Sequence, residues 1–129
     1  TETNNILILD DCVKICSVIS NMLKHYCGDK VNILQANTYD KASKLFKENK
    51  IDIVLTNIDL NEGMEEGGMK FLLKVKMFDE SIQVFVMSGS DCKREYIIEL
   101  GADDFFSKPF NLREVVIRIM DKLASRYQY

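Results

Sequence analysis

The chain has 129 residues, is 47% apolar and 29% charged, and carries a formal net charge of −3 from 17 basic and 20 acidic residues. Such a length supports one domain, residues 1–129, with a single buried core, and the apolar fraction argues against a disordered tail. The mild, scattered charge argues against a nucleic-acid surface, and no apolar run approaches the ~20 residues of a membrane span. The opening Thr1-Glu2-Thr3-Asn4-Asn5 has no basic segment ahead of its apolar stretch, so it does not read as a signal peptide, and the missing initiator Met suggests a processed or trimmed chain. Cys12, Cys16, Cys27 and Cys92 form no CxxC pair and read as free thiols of a reducing, cytoplasmic compartment. Cys12 and Cys16 share a helix face with His25 further along, but no fourth ligand completes a zinc site.

Short apolar strands alternate with amphipathic helices, the pattern of a parallel α/β sheet. The first strand is expected at 5–10. A helix follows with Ile15, Val18, Ile19, Met22 and Leu23 on one face at spacings of three and four. The second strand is expected at 31–35 and the second helix at 38–47, burying Ala42, Leu45 and Phe46. The third strand, 51–56, ends on Asn57. A Gly-rich acidic loop, 61–68, leads into a helix with Phe71, Leu72, Val75 and Phe78 inside. The fourth strand spans 82–87, and the fourth helix spans 92–100 and stops at Gly101. The fifth strand is 104–107. Asn111 caps the last helix with Glu114 returning the bond, Phe110 and Val115 form a staple, and Leu112, Val115, Ile119 and Leu123 form the inner stripe. Strict alternation gives a (βα)5 doubly wound sheet, whose functional crevice lies outside the carboxyl ends of its strands.

Those ends carry polar groups. Ile6-Leu7-Ile8-Leu9 runs into Asp10-Asp11, the third strand into Asn57, Val84-Phe85-Val86-Met87 into Ser88-Gly89, and Phe105-Phe106-Ser107 into Lys108-Pro109. Adjacent carboxylates repel unless a cation intervenes, and a hard divalent ion such as magnesium suits oxygen ligands. A strand-end lysine and hydroxyl can both reach a phosphoryl oxygen, and Gly89 leaves room for the group. Each signal has a plain alternative: helix-start acids, a surface lysine, a strand-to-loop turn.

Taken together these motifs resemble the receiver domain of bacterial two-component response regulators. The resemblance covers residues 4–125 and rests on Ile6-Leu7-Ile8-Leu9-Asp10-Asp11, on Asp52 through Leu60, on Val86-Met87-Ser88-Gly89 and on Gly101 through Phe110. It implies a flavodoxin-like, CheY-like sheet of order 2-1-3-4-5. It implies magnesium held by Asp10 and Asp11 with an oxygen of Asn57 nearby, a switch hydroxyl at Ser88, a phosphoryl-contacting Lys108 and an aromatic switch at Phe105. It also implies a cis Lys108–Pro109 bond. The family's phosphoacceptor is an aspartate five residues after the acid that opens the third strand. From Asp52 that position is Asn57. An amide has a delocalised nitrogen lone pair and no negative charge, so it cannot attack a phosphoryl donor.

Three accounts of Asn57 stand: an engineered Asp-to-Asn change that holds the unphosphorylated state, a natural receiver that signals without phosphate, or an acceptor displaced to Asp59. Asp59 precedes Gly67 by eight residues, while Asn57 precedes Gly68 by eleven, with Leu60 three after Asn57. The run into 57 favours Asn57 as the site position. The loop departs from the family pattern in having Asn61 in place of a proline, and Glu62, Glu65 and Glu66 read as solvated acids. Phe105 lacks the hydroxyl of the family's frequent tyrosine.

The resemblance implies a non-enzymatic signalling domain. Its partners would be a histidine kinase or phosphotransfer protein and a downstream protein. Contact would run through the face of the fourth helix, fifth strand and fifth helix, where Arg94, Glu95, Tyr96, Arg113 and Arg118 lie, and the domain would be a monomer or weak dimer. The alternative is a magnesium-dependent phosphatase or phosphotransfer enzyme using Asp10, Asp11 or Asp59. However, Asp10-Asp11-Cys12 and Asn57-Ile58-Asp59 both miss the Asp-x-Asp-x-Thr pattern of haloacid-dehalogenase enzymes. A flavodoxin-type phosphate cradle is ruled against by the acids after the first strand.

Overall fold

The structure, a computed structural model, describes residues 3–58, 67–89, 94–107 and 110–125. Its strands are β1 (Asn4–Leu9), β2 (Val31–Ala36), β3 (Ile53–Asn57), β4 (Gln83–Ser88) and β5 (Asp104–Ser107). Its helices are α1 (Val13–Cys27), α2 (Tyr39–Glu48), α3 (Gly67–Phe78), α4 (Arg94–Glu99) and α5 (Leu112–Ser125), with a 3₁₀ turn over Gly28–Lys30. The strands are all parallel in the order β2-β1-β3-β4-β5, as expected.

Alternation along each strand builds two cores. Leu7, Leu9, Val54, Val84, Val86 and Phe105 meet Ala42 and Phe46 of α2, Phe71, Leu72 and Val75 of α3 and Ile97 of α4. Ile6, Ile8, Ile53, Leu55, Phe85, Met87 and Phe106 face Cys16, Ile19 and Leu23 of α1 and Val115, Val116, Ile119 and Leu123 of α5. A sheet covered on both faces needs unbroken apolar strands, which is why β1, β3 and β4 read as continuous runs rather than alternating ones.

Local signals work as expected at several helix ends. Thr38 Oγ1 accepts the Lys41 N–H at 3.1 Å, and Asn111 Oδ1 accepts that of Glu114 at 3.2 Å. The Glu114 carboxylate instead takes Arg118 Nη2 at 3.4 Å. Gly101 has φ +117, a left-handed backbone that ends the α4 segment. The opposite rim of the sheet is tied by acids. Asp52 Oδ2 takes the Asn5 N–H at 2.9 Å, and Asp103 Oδ2 takes both the Val84 N–H at 2.8 Å and Lys76 Nζ at 2.7 Å.

Several expectations need correction. β3 starts at Ile53 and includes Asn57, so the amide is held in the ladder rather than after it. On α1 the buried stripe is Cys16, Ile19, Ser20 and Leu23, and Val18 is 44% exposed. A cysteine and a serine occupy the inward phase, which leaves Val18 about 150° round the helix from the centre of the buried stripe. Phe78, the last residue of α3, is 74% exposed, and its ring meets that of Phe46 in a T-shaped pair at 5.3 Å between centroids. Leu45 and Leu112 are half-buried flanks of the cores. The described part of α4 is Arg94–Glu99, and Leu100 lies in the following turn. Positions 92 and 93 of the expected helix, Cys92 among them, lie outside the described residues, as do the acids Glu62, Glu65 and Glu66.

Candidate functional site

Register brings the strand-end groups together. Leu9 pairs with Thr56, so Asp10 follows level with Asn57. Asn57 pairs with Met87, one residue before Ser88, and Ser88 pairs with Ser107. Asp10, Asn57 and Ser88 therefore line the carboxyl-terminal rim of three adjacent strands. Lys108, the Lys108–Pro109 bond and Asp59 lie outside the described residues.

Asp10 is fully buried, Asn57 is 5% exposed and Ser88 is fully buried. One Asp10 oxygen, Oδ1, accepts the Cys12 N–H at 2.8 Å; the other, Oδ2, accepts Nδ2 of Asn57 at 3.3 Å. The first bond spans two residues and turns the chain from β1 into α1, the local role for which a strand-end aspartate is suited. The Asp10 main chain is fixed as well: its N–H donates to Ala36 O at 3.1 Å, and its carbonyl takes the Cys16 thiol at 3.5 Å. Asp11, beside it, is half-exposed at the rim.

The electrostatics follow from this burial. Desolvation pushes the Asp10 carboxyl above its ordinary value, and the neighbouring Asp11 adds to the rise. The Cys12 N–H and the Asn57 amide pull it down, because both donate to the charged form. A cation near Asp10 and Asp11 would relieve the same strain. Every oxygen on offer, from the two carboxylates and the Asn57 amide and carbonyl, is hard, as magnesium prefers. Among the described residues no three His, Cys, Asp or Glu side chains lie together. Among the described residues the set stops at the two carboxylates of Asp10 and Asp11, with the Asn57 amide beside Asp10. The donors fit magnesium in type.

Gly68 opens α3 directly against this rim. A Cβ there would collide with Asn57 O and lie 2.6 Å from Ile58 Cα. The glycine-rich run before α3 signalled a turn; its close-packing role against the end of β3 emerges only in three dimensions. Cys12 was also missed, since its contribution is a backbone N–H that no side-chain motif announces. Phe105 is 3% exposed in the α2–α3–α4 core, and the Arg94 guanidinium lies 4.8 Å from its ring centroid. Arg118 Nη1 is paired with Asp104 at 2.6 Å.

Residues 6–120 match the response regulator receiver domain family, and the chain belongs to that family. It is 32% identical over 98% of its length to the transcriptional regulatory protein YvrH of Bacillus subtilis (strain 168), covering 52% of that protein. It is 29% identical over 90% of its length to the transcriptional regulatory protein CpxR of Escherichia coli (strain K12), covering 47% of it. A segment amounting to 9% of histidine kinase P4 of Formosa agariphila also matches, at 31% identity over 97% of this chain. The chain thus spans about half the length of the two transcriptional regulators. Among solved structures, a CheY-like receiver domain protein from Methanospirillum hungatei JF-1 superposes with a TM-score of 0.79 at 25% identity, covering 96% of each chain. A two-component response regulator from Clostridium difficile gives 0.82 at 21% identity, covering 98% of this chain and all of that one. No helix among the described residues is long and apolar enough to cross a membrane.

Proposed function

We propose that this receiver domain signals without an aspartyl phosphate at position 57. The observation that carries the reading is the Asn57 amide donating to Asp10 Oδ2 at 3.3 Å, at the level of the rim where a nucleophilic carboxylate would stand. An amide there holds Asp10 in place but cannot form an acyl phosphate. The domain is accordingly held unphosphorylated or works independently of phosphate, and it is a binding module rather than an enzyme. Ser88 is the switch hydroxyl, Phe105 the aromatic switch and Lys108 the phosphoryl-contacting lysine of the unaltered site. Asp10, Asp11 and an oxygen of Asn57 hold magnesium, more weakly than three carboxylates would. The ion supplies positive charge that offsets the acid pair.

Output runs by protein–protein contact through α4, β5 and α5, as a monomer or weak dimer in the cytoplasm. Arg94, Glu95 and Tyr96 are exposed on the first turn of α4, and Arg118 on α5 bridges to Asp104 of β5. The relatives named as transcriptional regulators and as a histidine kinase support a kinase or phosphotransfer protein on one side and a downstream protein on the other. A magnesium-dependent phosphatase reading has no observation in its favour.

The test is incubation with acetyl phosphate, or with beryllofluoride, in the presence of magnesium, followed by intact and peptide mass spectrometry. No adduct is expected at residue 57. An adduct at Asp59 moves the acceptor there and overturns the reading. The Asn57→Asp variant should gain one phosphoryl group; if it stays inert, the rest of the site is degenerate as well.

A further inference from the structure

β5 is an edge strand, with β4 on one side only. An edge residue must find partners for its outward N–H and C=O, and Phe105 finds both in side chains. Its N–H donates to Asp104 Oδ1 at 2.9 Å, and its carbonyl accepts Arg94 Nη1 at 3.3 Å. The same arginine, the first described residue of α4, also places its Cζ 4.8 Å from the Phe105 ring centroid. That is within cation–π range, and the ring beneath is 3% exposed. One side chain therefore touches both the backbone and the ring of Phe105 from across the α4–β5 boundary.

We propose that Arg94 is a positioning residue that latches Phe105 in its buried state. The inference deepens the reading of Phe105 as the aromatic switch, and rests on it for its functional meaning. A phenylalanine has no hydroxyl with which to hold a second position by hydrogen bond, so the ring is governed by packing and by what covers its face. Arg94 supplies that cover and ties it to α4. Swinging the ring outward requires the guanidinium to leave the ring, which moves the amino end of α4. The ring and the helix are thus coupled with no phosphoryl group in the circuit. A mere edge cap on β5 predicts the same carbonyl hydrogen bond but gives the ring no part in it.

The experiment uses the full chain with 4-fluorophenylalanine incorporated, the Phe105 signal being assigned by Phe105→Leu. In the unaltered chain Arg94 side-chain protons should be shifted upfield by the ring current, and Phe105→Leu should abolish that shift while leaving the fold intact. Arg94→Ala should raise the solvent-exposed population of the Phe105 fluorine signal about two- to fivefold, the scale of an exposed cation–π contact. Arg94→Lys, which keeps the charge without the planar fork, should restore part of the loss. The latch is wrong if the Arg94 protons sit at unshifted positions in the unaltered chain, a reading that needs no variant. It is equally wrong if Arg94→Ala leaves the Phe105 signal unmoved. Both readouts are independent of phosphorylation, so an adduct at Asp59 would sink the proposed function and leave the latch to its own result.

Discussion

Placing a carboxylate at position 57 by Asn57→Asp should destabilise the domain without a cation and make it depend on magnesium. Asn57 is 5% exposed and gives Asp10, itself fully buried, a hydrogen bond at 3.3 Å. A hydrogen bond to a charged group is worth about 1.5–3 kcal/mol, and its loss is the first cost. The second is repulsion: two unit charges about 4 Å apart interact by about 4 kcal/mol at an effective dielectric of 20. Proton uptake caps the total at about 5–6 kcal/mol at pH 8, since holding one carboxyl protonated costs about 1.4 kcal/mol for each of the roughly four pH units above its ordinary pKa. A net loss of about 4–6 kcal/mol is expected in EDTA at pH 8, lowering Tm by roughly 15–25 °C for a domain of this size. The sign with pH follows from the direction of the shift. Burial already holds Asp10 above its ordinary value, and a neighbouring carboxylate raises it further. The proton-bound form is then favoured in the fold, so the variant's stability is highest at low pH and is lost as pH rises through the raised value. Magnesium at about a hundred times its Kd should return about 2.7 kcal/mol to the variant and much less to the unaltered chain. Differential scanning calorimetry of both proteins, with EDTA and with magnesium, at pH 5 and pH 8, decides the matter. Equal Tm values in EDTA, or equal magnesium responses, would refute the assignment of Asn57 to a site shared with Asp10.

Gly68→Ala should cost about 1–3 kcal/mol by overpacking against Asn57 O and Ile58 Cα, read as a lower urea midpoint; an unchanged midpoint would show that α3 can simply move away. Lys76→Ala should cost about 2–3 kcal/mol, because Nζ donates to Ile82 O at 2.6 Å and to Glu80 O at 3.0 Å while its partner Asp103 stays charged. Double-mutant analysis with Asp103→Asn should show coupling between them, and additive losses would contradict the contact. Burial pushes the Cys16 thiol up to about 11 from an ordinary 9.0. Its neutral form is favoured in the fold, so its contribution holds below pH 9 and is lost as pH rises through about 11. Cys16→Ala should therefore flatten the fall of the urea midpoint between pH 8 and pH 10.5, and native Cys16 should resist iodoacetamide until the chain unfolds.

The fold was legible in the sequence because its signals are local and redundant. Buried parallel strands need unbroken apolar runs, and β1, β3 and β4 have them; the caps at Thr38 and Asn111 and the stop at Gly101 are short-range geometry. What escaped was phase and length. Val18 and Phe78 are as apolar as their neighbours, and only the phase of the buried stripe on α1 and the place of Phe78 at the end of α3 put them in water. The site was legible to the extent that strand ends are, since register must carry Asp10, Asn57 and Ser88 to one rim. Its couplings were not. The Cys12 N–H on Asp10, Gly68 against Asn57 O and Arg94 over Phe105 join residues through backbone atoms or across elements that no spacing rule connects.

Asn57 matters more for what it supplies than for what it lacks. In a site built from three carboxylates each acid is strained until a cation arrives, so the empty and the loaded states differ greatly in energy. At this rim the Asn57 amide stands beside Asp10 as a donor, and the buried carboxylate gains a hydrogen bond at 3.3 Å. The gap between empty and loaded states shrinks by about the sum worked out for Asn57→Asp. The fold can then hold the rim, the buried Ser88 and the buried Phe105 in one arrangement without magnesium or phosphate. If position 57 carries no phosphoryl group, as proposed, any change of state is driven from elsewhere, and the α4–β5 boundary, where Arg94 meets both the backbone and the ring of Phe105, is where a partner's binding energy would act on it.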